Sequence, residues 1–204
     1  VGGHAHFDEQ PDLAKTYEEE YRGMDEELRT GTFSTIFGPI SPTEPVDPHK
    51  AYPIEALSLN MNLTYKGLND GGLQNHFLDP STTANTPQNS VYNEEQFFGH
   101  DVKMITGNYK FNFGNTLSST QVTFNNYQLD KNSNFRNVFT GMEPAYKFAF
   151  SRKLKAEQLF TITVNDVMKI TTGVTIERFF SIPRSGDLQS PVDRDNLDDA
   201  LIVN

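Results

Sequence analysis

Two groups of residues have the types and spacing to hold a metal ion. His4 and His6 share a face wherever the chain is extended, with Asp8 two residues further on. Imidazole and carboxylate donors so spaced could chelate a divalent cation. Asp193, Asp195, Asp198 and Asp199 crowd carboxylates into seven residues. They depart from an EF-hand loop, which needs Gly at its sixth place and Glu at its twelfth, and read as a solvated acidic loop. A polar terminus explains the histidine pair equally well. No metal ligand and no cofactor is therefore assigned.

Catalytic pairings are missing. The sequence has no Gly-x-Ser-x-Gly, His-Glu-x-x-His or phosphate-binding Gly-Lys-Ser/Thr motif. Glu94-Glu95 lies in loop-like sequence, where no spacing assigns acid and base roles, and His49, His76 and His100 stand alone. Arg184-Ser185-Gly186-Asp187 reads as a turn. Asn62-Leu63-Thr64 fits a glycosylation sequon but falls inside a strand pattern. The expectation is a protein that is not an enzyme, with no catalytic residues and no identified ligand-binding residues.

Charge and composition narrow the class. A net charge of -10 over 204 residues removes the basic footprint of a nucleic-acid binder. Without cysteine there is no disulfide framework and no thiol chemistry. Hydrophobic residues make up 36% and the mean hydropathy is -0.56, lean for a compact domain of this length. No apolar run approaches the ~20 residues of a transmembrane helix. A start at Val1 and an end at Asn204 after an acidic run are expected of a piece cut from a longer chain.

The apolar residues are concentrated in alternating segments. Leu57, Leu59, Met61, Leu63 and Tyr65 alternate with Ser58, Asn60, Asn62, Thr64 and Lys66. Tyr109, Phe111 and Phe113 alternate with Asn108, Lys110 and Asn112, and after Gly114-Asn115 the pattern resumes with Val122 and Phe124. Tyr146, Phe148 and Phe150, then Phe160, Ile162 and Val164, then Ile170, Val174 and Ile176 complete the set. A period of two means strands with one dry face and one wet face. The segments 54–66, 102–113, 117–129 and 168–180 each span about twelve or thirteen residues, against ~5–6 for globular strands and ~9–11 for membrane-crossing ones. Ten residues tilted by about 45° rise about 23 Å, near the height of an outer-membrane barrel's apolar band.

The remaining sequence reads as connections. Leu13, Tyr17, Tyr21, Met24 and Leu28 mark one face of a short helix over 12–28, with Gly23 weakening its middle. Five prolines between Pro39 and Pro53 predict an extended loop. Residues 67–101 read as a long polar excursion, 114–115 as a short turn, 130–143 as an intermediate loop and 165–166 as a short turn. The long-short rhythm is that of an up-and-down meander with one elaborated rim. It requires 144–164 to be a single limb, with Arg152 to Gln158 as an interruption or bulge. Trp, the usual girdle residue, is absent; Tyr65, Tyr109, Tyr127, Phe179 and Phe180 are candidates to replace it.

The stretch from Met168 to Leu188, with Thr172-Gly173-Val174-Thr175-Ile176-Glu177-Arg178-Phe179, resembles a barrel strand of TonB-dependent outer-membrane receptors. Gln158 to Asp166 is similar to the descending partner of that strand's hairpin. The family's plug domain, its TonB-contacting box and its aromatic-terminated last strand have no counterpart in the sequence. The resemblance implies an internal segment of an antiparallel up-and-down transmembrane β-barrel with long extracellular loops and a short loop helix. It implies residence in the outer membrane of a Gram-negative bacterium and TonB-dependent uptake of a scarce solute, a metal chelate, cofactor or glycan. The implied partners are that small-molecule or glycan ligand, outer-membrane lipid, and TonB-type energy coupling through the missing plug. On this reading 1–53 is a loop and helical extracellular segment. Residues 54–181 are barrel strands with an extracellular loop at 67–101, and 182–204 is an acidic extracellular loop. The competing expectation is a soluble secreted β-sandwich, acting as an adhesin or a carbohydrate-binding module.

Overall fold

The computed structural model describes residues 2–7, 13–44, 46, 55–81, 89–91 and 95–192. They build one antiparallel sheet, with strands β1 (Gly2–Phe7), β4 (Glu55–Tyr65), β5 (Leu68–Pro80), β6 (Phe97–Phe113), β7 (Thr116–Leu129), β9 (Ala145–Thr163) and β10 (Lys169–Leu188) in that spatial order. The short β8 (Asn134–Phe135) pairs with the start of β9. A hairpin of β2 (Phe33–Thr35) and β3 (Gly38–Ile40) stands apart. Helices α1 (Leu13–Thr16), α2 (Glu18–Arg22) and α3 (Asp25–Thr30) precede it. The fold is all-β and antiparallel. Among the described residues the sheet does not close; β1 and β10 are its edges.

Every short connection lies at one rim and every long one at the other. Lys66-Gly67 joins β4 to β5, Gly114-Asn115 joins β6 to β7, and 164–168 joins β9 to β10. Lys66 and Gly67 both take positive φ, 42° and 85°, as a two-residue turn matched to strand twist demands. Gly67 is also needed there because a Cβ would stand 2.4 Å from the Lys110 carbonyl oxygen. At the third turn, Asn165 Oδ1 accepts from the Val167 and Met168 amides.

Several expectations change. Residues 67–101 are not one loop, since β5 occupies Leu68–Pro80 and pairs along its length with β4 and β6. β1 is a strand within the segment read as loop and helix. The helix over 12–28 is three short pieces that break at Tyr17 and at Gly23-Met24, although Tyr21 and Met24 are buried as the periodicity requires. β9 is the single limb expected, but it holds no interruption: its ladder to β7 runs from Phe150 to Ile162 without a shift. β10 continues past 181 to Leu188, through the stretch read as an Arg184–Asp187 turn, with register shifts after Ile182 and after Ser185.

The buried side chains lie above the sheet's midline, at the elaborated rim. One cluster is Met24, Phe33, Val91, Val138 and Met142, with Leu28, Ile40 and Val46 against it. The other is Phe148, Phe150, Ile182 and Val192, with Leu188. The long lower part of the sheet has no core.

Candidate functional site

Strand register sorts the side chains onto two faces, because residues directly opposite in an antiparallel pair project the same way. One row runs Met61, Gly72, Ile105, Phe124, Leu154 and Arg178 across β4 to β10. On this outer face β4 contributes Leu57, Leu59, Met61, Leu63 and Tyr65, all exposed at between 49% and 61%. Tyr109, Phe111, Phe113, Val122, Phe160, Ile170, Val174 and Ile176 are exposed on the same face. From Ile105 to Phe113 is eight steps, about 27 Å along the strand. Soluble monomers rarely expose contiguous apolar surface on this scale.

The inner face is mainly polar, with Leu73, Met104, Leu117, Leu159 and Phe179 as apolar exceptions. Asn60, Asn62, Thr64, Asn69, Thr106, Asn108, Gln121 and Thr123 line it along β4 to β7. Its polar groups bond across strands: Ser58 Oγ donates to Asn75 Oδ1 at 2.6 Å, Thr64 Oγ1 to Asn69 Oδ1 at 3.2 Å, and Thr175 Oγ1 to Glu157 Oε2 at 3.1 Å. Lys153 meets Glu177 at 3.0 Å and Lys155 meets Glu157 at 3.1 Å. Polar residues on the outer face also bond across strands, between β7 and β9. Gln158 Nε2 donates to Ser118 Oγ at 2.9 Å, and its Oε1 accepts from Thr120 Oγ1.

The elaborated rim is ordered by Arg136, of which 2% is exposed. Its Nε donates to the Met142 carbonyl at 2.6 Å, its Nη2 donates to the Glu44 carbonyl at 2.9 Å, and its Nη1 lies 4.0 Å from Glu44 Oε2. Burial pulls the guanidinium pKa down, opposed by the charges of Glu44, Glu143 and Glu95. Asn137 caps the 3-10 turn Val138–Thr140 in a reciprocal box with Thr140, and Gly141 closes it in the left-handed region at φ 65°. Val91 N donates to Arg136 O and Val138 N to Asn89 O, both at 3.0 Å, tying 89–91 to the same turn. Gln96 Nε2 donates to Asn134 Oδ1 at 3.1 Å, and Asn134 Nδ2 donates to the Glu95 carbonyl at 2.7 Å. Thr43 donates twice to Glu143 Oε1, from its amide and its hydroxyl. Those two bonds, with the Arg136 charge, hold the Glu143 carboxyl below the usual carboxylate range.

Together these contacts fix segments from three long connections over the sheet. Between them lies an open depression of about 530 Å³ lined by Glu44, Phe139, Glu143, Tyr146, Leu188 and Gln189. Beside it, Ile36, Phe37 and Phe139 are exposed at 80%, 62% and 77%, and the two phenyl rings meet edge-on at 5.5 Å. The surface therefore offers carboxylates and apolar rings to a ligand arriving at this rim.

No protein-family model, curated protein or solved structure matches this chain.

The residues singled out by sequence do not converge. His4 and His6 lie on β1 opposite Ser58 and Ala56, both toward the inner face, and Asp8 is outside the described residues. Among the described residues no group of three His, Asp or Glu side chains could hold a metal ion. Asp193, Asp195, Asp198, Asp199, His49 and Glu94 are outside the described residues. His76 pairs with Asp101 across β5 and β6, on the outer face. His100 is on the inner face, stacked on Phe77 at 4.6 Å with Nδ1 3.0 Å from the Tyr127 hydroxyl. Tyr127 and Phe179 are therefore inward, not members of an outer girdle, whereas Tyr65, Tyr109 and Phe180 do face outward. Asn62 of the sequon lies in β4 opposite Gly71. Sequence reasoning missed Arg136, whose only signal is a lone cation among the turn formers Asn132, Ser133, Asn134 and Asn137.

Proposed function

We propose that the chain is part of the wall of an outer-membrane β-barrel receptor of the TonB-dependent type. The apolar outer face meets lipid, the polar inner face meets a wet lumen, and the rim of long connections faces outside the cell. That rim takes up a scarce solute, with a metal chelate, a cofactor and a glycan as the candidate classes. Energy coupling runs through the plug domain of such receptors. The role is binding and passage, not chemistry.

One observation carries the reading: β4, the lower part of β6, and β10 expose large apolar side chains at alternate positions, joined by Leu154 and Phe160 of β9, while most of their neighbours are polar. A secreted β-sandwich would bury that apolar face under a second sheet. Among the described residues the only other sheet is the two-stranded β2–β3 hairpin.

The chain has no cysteine of its own, so a single introduced cysteine is the one thiol within it. In membranes from cells making the full protein, Leu154→Cys, Ala156→Cys and Phe160→Cys should resist a water-soluble maleimide and react with a lipid-soluble one. Lys153→Cys, Lys155→Cys and Glu157→Cys should do the reverse. Equal labelling of both sets by the water-soluble reagent would sink the proposal.

A further inference from the structure

We propose that the outer face binds phosphate-bearing lipid headgroups through Lys103, Arg152 and Arg178, at the margin of the apolar band nearest the elaborated rim. The inference rests on the wall reading above and assigns a lipid class to one edge of it.

The cations are placed by register. Gln74, Lys103, Asn126, Arg152 and Phe180 form one outward row across β5, β6, β7, β9 and β10. The next row toward the short turns is Gly72, Ile105, Phe124, Leu154 and Arg178. The three cations thus occupy adjacent rows of one face. Lys103 and Arg152 are two strands apart, about 10 Å, and Arg178 is diagonal to Arg152. Above them the face is covered by the chain itself, where Phe148, Phe150 and Ile182 are buried with Val192. Below them the outward positions are mainly apolar, interrupted by Asp70 opposite Leu63 and by Ser118, Thr120 and Gln158.

The two margins differ in chemistry. From the row of Tyr65, Leu68 and Tyr109 down to the short turns, the outward strand positions carry no charged side chain and end on Phe111, Phe113, Ile162 and Ile170. In a chain of net charge -10, the outward cations of the sheet are gathered in two adjacent rows. Asp101 is the carboxylate nearest them, and it is engaged by Lys103 at 3.0 Å. No described carboxylate pairs with Arg152 or Arg178.

Arg152 is preorganised for an anion. Its guanidinium lies 5.2 Å from the Phe150 ring centroid and 5.8 Å from that of Phe124. Both rings belong to the outer face, so they hold the stem against the wall. The guanidinium N–H fork remains for phosphate oxygens, which match it in geometry and charge. Headgroup phosphate is the occupant that charge complementarity selects, because an acyl chain in the band below brings its headgroup to this level.

The test uses the full protein in lipid nanodiscs of phosphatidylcholine doped with phosphatidic acid, with co-purified lipid read by mass spectrometry. Phosphatidic acid should be enriched at the protein on the order of a hundredfold over phosphatidylcholine, about fivefold per cation, and raised salt should erode the enrichment. Arg152→Gln alone should lose about fivefold, and K103Q/R152Q/R178Q should abolish the preference while leaving the alternating cysteine pattern of β9 intact. No enrichment in the unaltered protein, or enrichment unchanged in the triple variant, overturns the proposal. Complete displacement by millimolar inorganic phosphate also overturns it, in favour of a free-phosphate site. Failure of the cysteine pattern in the unaltered protein instead removes the wall reading itself.

Discussion

Arg136 reaches across 92 positions of sequence to the backbone carbonyl of Glu44, donating from Nη2 at 2.9 Å. The same guanidinium donates to the Met142 carbonyl, so one buried cation joins the long segment before β4 to the connection between β7 and β9. Arg136→Met would leave both carbonyls without this donor, at a cost of about 2–4 kcal/mol to the rim. Hydrogen exchange should show faster exchange at the Val91 and Val138 amides, which close on the same turn, and unchanged exchange along β7 and β9. A uniform loss over sheet and rim would show instead that the rim does not fold as its own unit.

Substitutions at neighbouring positions of β4 should have opposite consequences. Met61 is the middle of the five outward apolar residues of β4, and Asn62 faces inward opposite Gly71. Met61→Arg places a charge on the lipid side, at a cost of about 1 kcal/mol near a headgroup margin rising to about 2–4 kcal/mol at mid-bilayer, whereas a lumen-facing arginine stays wetted. Assembly in the outer membrane, measured by heat-modifiable migration of the full protein, should fall sharply for Met61→Arg and remain for Asn62→Arg. Equal tolerance of the two would remove the distinction between the faces.

The alternation in β4, β6, β9 and β10 was legible because each of those strands carries a run of large apolar side chains at every second position over part of its length. β5 was hidden: Asn69, Asp70, Gly71, Gly72, Gln74, Asn75 and His76 give it polar residues on both faces, and only ladders to β4 and β6 make it a strand. β1 was hidden likewise, since Gly2-Gly3-His4 has weak strand preference and is held by the edge of β4. The helical period over 12–28 correctly marked Tyr21 and Met24, yet Tyr17 is 53% exposed because the turn breaks there before α2 begins. The cationic row had no signal along the chain. Lys103, Arg152 and Arg178 become neighbours only through the pairing of four strands.

Gly173 should be far less replaceable than Gly72, although both lie in strands. A Cβ on Gly173 would stand 2.3 Å from the Gln158 carbonyl oxygen and 2.5 Å from the Leu159 side chain, whereas one on Gly72 meets nothing within 4 Å. Gly173→Ala must push β9 from β10, costing about 1–3 kcal/mol. Gly72→Ala should be neutral or stabilising by about 0.5 kcal/mol through the unfolded chain. Urea unfolding of the assembled protein in vesicles would rank the two, and a reversed order would mean that the β9–β10 pairing differs from the one described.

Acid should loosen the rim through Glu143. Its carboxylate accepts from the Thr43 amide and hydroxyl, and those bonds, the amide first, depress its pKa. With the folded pKa below the unfolded one, the unfolded segment binds more protons in the interval between them. Stability from this contact is therefore complete above the ordinary glutamate value of about 4.3 and is lost as pH falls through the folded value. The contact is solvent-exposed, so the effect should be local to the segment it holds. A spin label on Ile36→Cys, at the exposed tip of the β2–β3 hairpin, should gain mobility as pH falls through that window. Glu143→Gln keeps an acceptor oxygen but cannot ionise, so in that background the mobility should be intermediate and independent of pH. The same pH response in the Glu143→Gln background would assign the acid sensitivity to another carboxylate, with Glu44 beside Arg136 the next to replace.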